Sequence, residues 1–374
     1  RSTPLYSSAA SDVYKRQAQH NESRKFFPRL IYWILALPGQ WDVRRQMVVH
    51  WGFLLASMLA LISLSRATLP ASLSLTCSTL GAFVLFSLAQ WQNLLWGIQV
   101  VVVIPTFSLF CGIWCLWVPR WHVGIRVALA AILAVFSTFS YANGMVVWAL
   151  LGLAVLFAPR ALPRPRAVAT TLFAFAGGIA IWYFFLGWSR SGAFVAVSYT
   201  PTQILQFALA FIGNGLRFTT DVNMAVAAGA FGALVALMSF TGLALHCAIR
   251  RTWDPLFSAL PWCLLMGYSF LSGCAAAVGR LSYGLEAAIA MRYPTFAIPF
   301  WVALLPMVTL FLLSFQVISV ERIRRTSIFG AGMVFCLVLM AQFLALRESS
   351  SYVRDRVIAE STLRWIHVAP SPTY

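Results

Sequence analysis

Apolar runs of about 20 residues, each closed by charge, proline or glycine, recur along most of the chain. That is the length a helix needs to cross the hydrocarbon core of a bilayer. The runs lie near 46–65, 71–90, 95–118, 125–141, 144–158, 167–187, 224–247, 256–278, 295–319 and 328–346. They predict an all-α polytopic bundle with about ten membrane-spanning helices. The stretch 203–217 is different, because it is shorter and carries Gln206, Gly213, Asn214 and Gly215. It is expected to be re-entrant or interfacial, with its polar backbone turned toward protein or water.

The placing of arginine between the runs supports that exclusion. Arg66, then Arg120 and Arg126, then Arg160, Arg164 and Arg166, then Arg250 and Arg251, then Arg322, Arg324 and Arg325 all fall on one side if 203–217 does not cross. Short basic loops mark the cytoplasmic side. The other side, expected to be periplasmic or extracellular, then holds residues 18–45, 91–93, 141–144, 188–223, 279–294 and the tail. Multi-pass insertion in a bacterial inner membrane is the expected location.

Composition agrees with this picture. Of the 374 residues, 60% are hydrophobic and 10% charged, and the formal charge is +17. In a soluble chain such a charge would suggest nucleic acid as a partner. Here the cations sit in short loops between apolar runs, so the partners expected are membrane lipids and not nucleic acid. No span centre carries a carboxylate or a basic residue, which argues against an ion or proton path through the bilayer. The seven cysteines lie inside apolar runs without metal-type or redox-type spacing and read as small core residues. Walker, GxGxxG, HExxH and GxSxG motifs are absent, which sets aside nucleotide hydrolysis and serine-type catalysis.

The ends of the chain read differently from its middle. Ser7 to Gln17 resembles translated adapter read-through, so residues 1–17 are expected to be a non-native scar. Residues 18–45 then form part of a first outer loop with an interfacial helix. The transmembrane domain occupies 46–346, and 347–374 is an outer tail whose pattern does not close.

Several polar constellations collect on the expected outer side. His20-Asn21-Glu22-Ser23-Arg24 precedes an amphipathic stretch, and a carboxylate beside Arg and His can take a proton from an acceptor hydroxyl; a headgroup anchor is the rival explanation. Gly279-Arg280 and Met291-Arg292-Tyr293 bracket Glu286, and either arginine can fork onto a phosphate. Gln90-Trp91-Gln92-Asn93 places more amide chemistry at a span end than an aromatic belt requires. Tyr141-Ala142-Asn143-Gly144 is most simply a turn. Asn214, Arg217, Asp221 and Asn223 complete the set.

His20-Asn21-Glu22 with Arg24 and Phe27-Pro28-Arg29, the Tyr32-Trp33 helix, Trp91 to Gly97, Phe139 to Gly144, Gly279-Arg280 and Arg292-Tyr293 together resemble a group of uncharacterised bacterial membrane proteins. That group is similar in layout to the C-fold (GT-C) glycosyltransferases, which include protein mannosyltransferases and lipid A aminoarabinose transferases. The resemblance covers residues 18–346. It implies transfer of a sugar from a polyprenyl-phosphate donor to a lipid, glycan or protein on the outer face. It also implies an acidic residue in the first outer loop, where Glu22 is the candidate catalytic carboxylate. Arg24, Arg280, Arg292, Tyr293, Trp91 and Asn93 are the candidate substrate-binding residues. A divalent metal is left open as a cofactor, and no oligomeric state is implied. Two rivals from other classes are a transporter or flippase for a lipid-linked substrate and a non-catalytic membrane scaffold.

Overall fold

A computed structural model of the chain describes residues 19–20, 23–38, 42–118, 121–157, 165–188 and 199–315, with scattered positions between 336 and 354. The expected scar at 1–17, Glu22, most of the run at 328–346 and most of the tail lie outside the described residues.

The fold is an all-helical bundle. A two-residue antiparallel pair, β1 (Gln19–His20) and β2 (Ser23–Arg24), precedes helix α1 (Phe26–Ala36). Helices α2 (Val43–Thr68) and α3 (Ala71–Leu85) follow, then the five-residue α4 (Trp91–Leu95) between two short 3₁₀ turns. Next come α5 (Val100–Trp117), α6 (Val123–Thr138), α7 (Val146–Phe157) and α8 (Pro165–Phe185). The last group is α9 (Pro201–Gly213), α10 (Val222–Arg250), α11 (Asp254–Arg280) and α12 (Pro294–Ser314).

Local chemistry sets the helix ends. Asp42 accepts from the Arg44 N–H at 2.9 Å to open α2, and Asp221 accepts from the Asn223 N–H at 2.7 Å to open α10. Thr200 and Gln203 form a reciprocal capping box ahead of Pro201. Arg251 closes α10 in the left-handed region at φ 53° and turns the chain into α11.

Among the described residues, seven helical stretches are long and apolar enough to cross a membrane: Val43–Thr68, Ala71–Leu95, Gly97–Trp117, Ala167–Phe185, Val222–Arg250, Asp254–Tyr283 and Pro294–Ser314. The outward faces support that reading. Phe231, Leu234, Leu237, Met238 and Ile249 on α10 are exposed, as are Leu172, Phe175, Ile179 and Trp182 on α8. Apolar surface of that extent is stable against lipid tails and not against water. The chain is therefore a multi-pass helical membrane protein.

Two expected spans are shorter than the apolar runs suggested. The runs at 125–141 and 144–158 become α6, of 16 residues, and α7, of 12, joined by the 3₁₀ turn Ala142–Met145. The runs at 71–90 and 95–118 do form helices, but the chain between Leu85 and Val100 is broken into short turns. Polar side chains cause the break. Ser87 accepts from the Ala89 N–H at 3.1 Å, and Gln90 Nε2 donates to the Leu85 carbonyl at 2.5 Å.

Helix α5 is apolar on all sides and lies in the middle of the bundle, packed by α2, α6, α7 and α12. The short α9 sits between α10 and α11, where glycines admit it. A Cβ at Gly229 or Gly213 would collide with the carbonyl oxygens of Leu209 and Ala225, so the backbones of α9 and α10 touch.

Candidate functional site

The segments expected on the outer side converge at one end of the bundle. Ser23 Oγ accepts from the Ala142 N–H at 3.2 Å, and the Phe27 N–H donates to the Phe139 carbonyl at 3.3 Å. The Tyr32 hydroxyl donates to the Ile98 carbonyl at 2.7 Å, which lays α1 over the 3₁₀ turn Gly97–Gln99. Burial there raises the Tyr32 pKa above the ordinary phenol range, so the donor keeps its proton.

Beneath this cover, the broken helix meets the N-terminus of α12 in a buried polar network. Asn93 Nδ2 donates to Thr295 Oγ1 at 2.8 Å and to the Arg292 carbonyl at 3.2 Å. The Thr295 hydroxyl in turn donates to Gln90 Oε1 at 2.7 Å, and the Thr106 hydroxyl donates to the Thr295 carbonyl at 3.2 Å. Gln90 and Asn93 have no solvent exposure. Inside an apolar bundle such groups persist because they satisfy one another.

Arg292 forms the roof of that network. Its guanidinium carbon lies 5.3 Å from the centre of the Tyr293 ring, and its buried Nε makes no hydrogen bond among the described residues. Tyr293 is itself buried and rests on Phe211 of α9, with ring centres 5.0 Å apart. The Asn93 Oδ1 atom is also buried without a hydrogen-bond partner. Asn93 is bonded to the Arg292 backbone, so a cationic side chain and an unused amide acceptor start from neighbouring points of one frame.

The C-terminal end of α9 closes the other flank. Asn214 Nδ2 donates to the Ala290 carbonyl at 3.2 Å, Arg217 Nη1 to the Ile289 carbonyl at 3.4 Å, and Trp301 Nε1 to the Ile212 carbonyl at 2.8 Å. The loop from 281 to 293 is therefore held from below by α9 and from the side by Asn93. Gly284 turns that loop at φ 95°, where a Cβ would press on Glu286 Oε2 at 2.8 Å.

The structure brings Asn93, Arg292 and Tyr293 together, with Trp91 buried in the same short helix as Asn93. Arg280, half-buried at the end of α11, lies 5.9 Å from the centre of the exposed Tyr283 ring. Arg24 has different contacts. Its Nε donates to the Phe184 carbonyl at 2.7 Å and its Nη2 donates to the Leu186 carbonyl, so the guanidinium caps the C-terminal end of α8. Glu22 lies outside the described residues. Thr106 and Thr295 carry no signal in the sequence, being single hydroxyls in apolar runs; only helix crossings make Thr295 the partner of Gln90 and Asn93, and Thr106 the partner of the Thr295 carbonyl.

Among the described residues there is no group of three or more His, Cys, Asp or Glu that could hold a metal ion. The cluster is instead suited to an anionic oxygen, which can take a charge-assisted hydrogen bond from arginine. No family model matches the chain, and no curated protein or solved structure is significantly similar to it.

Proposed function

We propose that the protein is a membrane glycosyltransferase of the C-fold type, taking a sugar from a polyprenyl phosphate at the end of the bundle where Asn93 and Arg292 meet. The observation that carries this proposal is the buried Arg292 Nε without a hydrogen-bond partner, beside a polar network in which Asn93 Oδ1 is also unpartnered. In this reading the bond between the sugar carbon and the phosphate oxygen breaks and the acceptor oxygen takes its place. The phosphate leaves with the electron pair, and Arg292, with Arg280, offsets the charge that accumulates on it. Glu22 takes the acceptor proton. Tyr293, Trp91 and Asn93 position the donor, while Arg24 holds the first outer loop against α8. The face is periplasmic or extracellular, and α6, α7 and the run at 328–346 bring the crossings to about ten.

The test is transfer of labelled sugar from polyprenyl phosphate in membranes of a complemented strain. Arg292→Lys keeps the charge but loses the planar fork, and is expected to cut transfer at least tenfold at unchanged protein level. Unchanged transfer would remove Arg292 from the phosphate contact; no transfer by the wild-type protein from any polyprenyl-phosphate sugar would remove the activity.

A transporter or flippase is the second reading. It is favoured by the broken helix at 86–99 and the short α9, since discontinuous helices line substrate paths in such proteins. Movement of a lipid-linked substrate across proteoliposomes without any bond cleavage would select it.

A further inference from the structure

A second site lies at the opposite end of the bundle. Helix α2 runs from the Asn93 end, where Gln46 packs against Gly97, to Thr68, whose hydroxyl accepts from Trp262 Nε1 at 3.2 Å near the start of α11. Between α2 and α3 is a groove of about 940 Å³. Its walls are Met58, Ile62 and Arg66, successive turns of one α2 face, the α3 face running from Ala71 through Ser78 to Phe86, and Leu339 and Gln342 from the C-terminal part of the chain. The groove follows α3 for ~22 Å at the helical rise of about 1.5 Å per residue. Trp51 stacks on Phe86 at its far end, with ring centres 5.7 Å apart.

The two ends of the groove differ in charge. Arg66 stands at the α2 C-terminus, exposed, with no hydrogen bond or ion pair among the described residues. Inside, Ser78 is 5% exposed and its Oγ has no hydrogen-bond partner. A cation at the mouth of a mostly apolar channel, whose walls carry the polar groups of Ser74, Ser78, Thr79 and Gln342, matches an amphiphile with one anionic head. The groove is longer than the ~15 Å that one leaflet of a hydrocarbon core about 30 Å thick supplies, so an ordinary acyl chain can lie within it.

We infer that the α2–α3 groove is a binding site for an anionic phospholipid, its phosphodiester on Arg66 and an acyl chain lying along Ser74, Ser78 and Phe83. The site is separate from the polar network at Asn93 and does not depend on the activity proposed there.

The experiment is native mass spectrometry of the full-length protein released from nanodiscs holding equal palmitoyl-oleoyl phosphatidylglycerol and phosphatidylcholine. The expected result is one retained phosphatidylglycerol per chain. Arg66→Gln is expected to weaken that retention roughly tenfold, as loss of a charge-assisted contact implies, while Arg66→Lys largely restores it. Ser78→Phe, which fills the groove, is expected to abolish retention. Because Arg66 is exposed, its variants test the head contact even if Ser78→Phe does not fold. Equal retention of the two lipids, or retention unaffected by Arg66→Gln, overturns the proposal. So does a chain that retains no phospholipid.

Discussion

At the residue scale, Asn93 is the side chain on which the candidate site turns. One amide ties a broken helix to the Arg292 carbonyl and to Thr295; the Thr295 bond is fully buried and the Arg292 bond partly so. Removing a partner from a buried bond costs the desolvation of what is left behind, about 1–3 kcal/mol. Asn93→Ala is therefore expected to lower thermal stability in detergent by several degrees and to reduce labelled-sugar transfer. Asn93→Asp is expected to do worse, because a carboxylate cannot donate to either oxygen and adds a buried charge. A melting curve for Asn93→Ala that overlays the wild type would show that the network does not hold the 281–293 loop. The sequence marked Asn93, Arg292 and Tyr293 as unusual because they are polar or aromatic groups at the ends of apolar runs. Their partnership was not legible, since about two hundred residues separate Asn93 from Thr295 along the chain.

At the element scale, the contact between α9 and α10 depends on the absence of side chains. Gly213 and Gly229 let two backbones meet where any Cβ would strike a carbonyl oxygen, and Gly273 of α11 admits Ala208 from the other side at 3.0 Å. Overpacking of this kind costs typically 1–3 kcal/mol and more when backbone must move. Gly229→Ala is expected to lower the melting temperature clearly, whereas Gly178→Ala, which faces open space on α8, is expected to leave it unchanged. Equal melting of both variants would mean that α9 is not seated as described. The segment 203–217, short and polar beside the full-length runs, holds most of the 13-residue α9. That the C-terminal half of this helix is buried and supports the 281–293 loop depends on glycines in two other helices, which a reading of the segment alone does not connect.

At the scale of the whole molecule, the turn after α10 and the loop after α11 lie at opposite ends of α11, a helix of 27 residues. Single cysteines introduced at Trp253 and Tyr283, both exposed, into a chain whose native cysteines have been replaced should react with an impermeant maleimide from opposite faces of the membrane. With short basic loops held in the cytoplasm, Tyr283 is expected to label in intact cells and Trp253 only after permeabilisation. Labelling of both from one face would mean that α11 does not cross.

The sequence by itself determined the class of molecule and the position of most helices. An apolar run of bilayer length must satisfy its own backbone, and in lipid a helix does so without help from the rest of the chain. Helix ends were partly legible for the same local reason, as Asp42, Thr200 and Asp221 cap within three residues. Tertiary structure alone decided which polar groups meet. Gln90 with Thr295, Asn214 with Ala290 and Arg24 with Phe184 are partners because helices distant in sequence cross there, and no local pattern encodes a crossing. The groove beside Arg66 has the same origin, since α2, α3 and residues near 340 together line it.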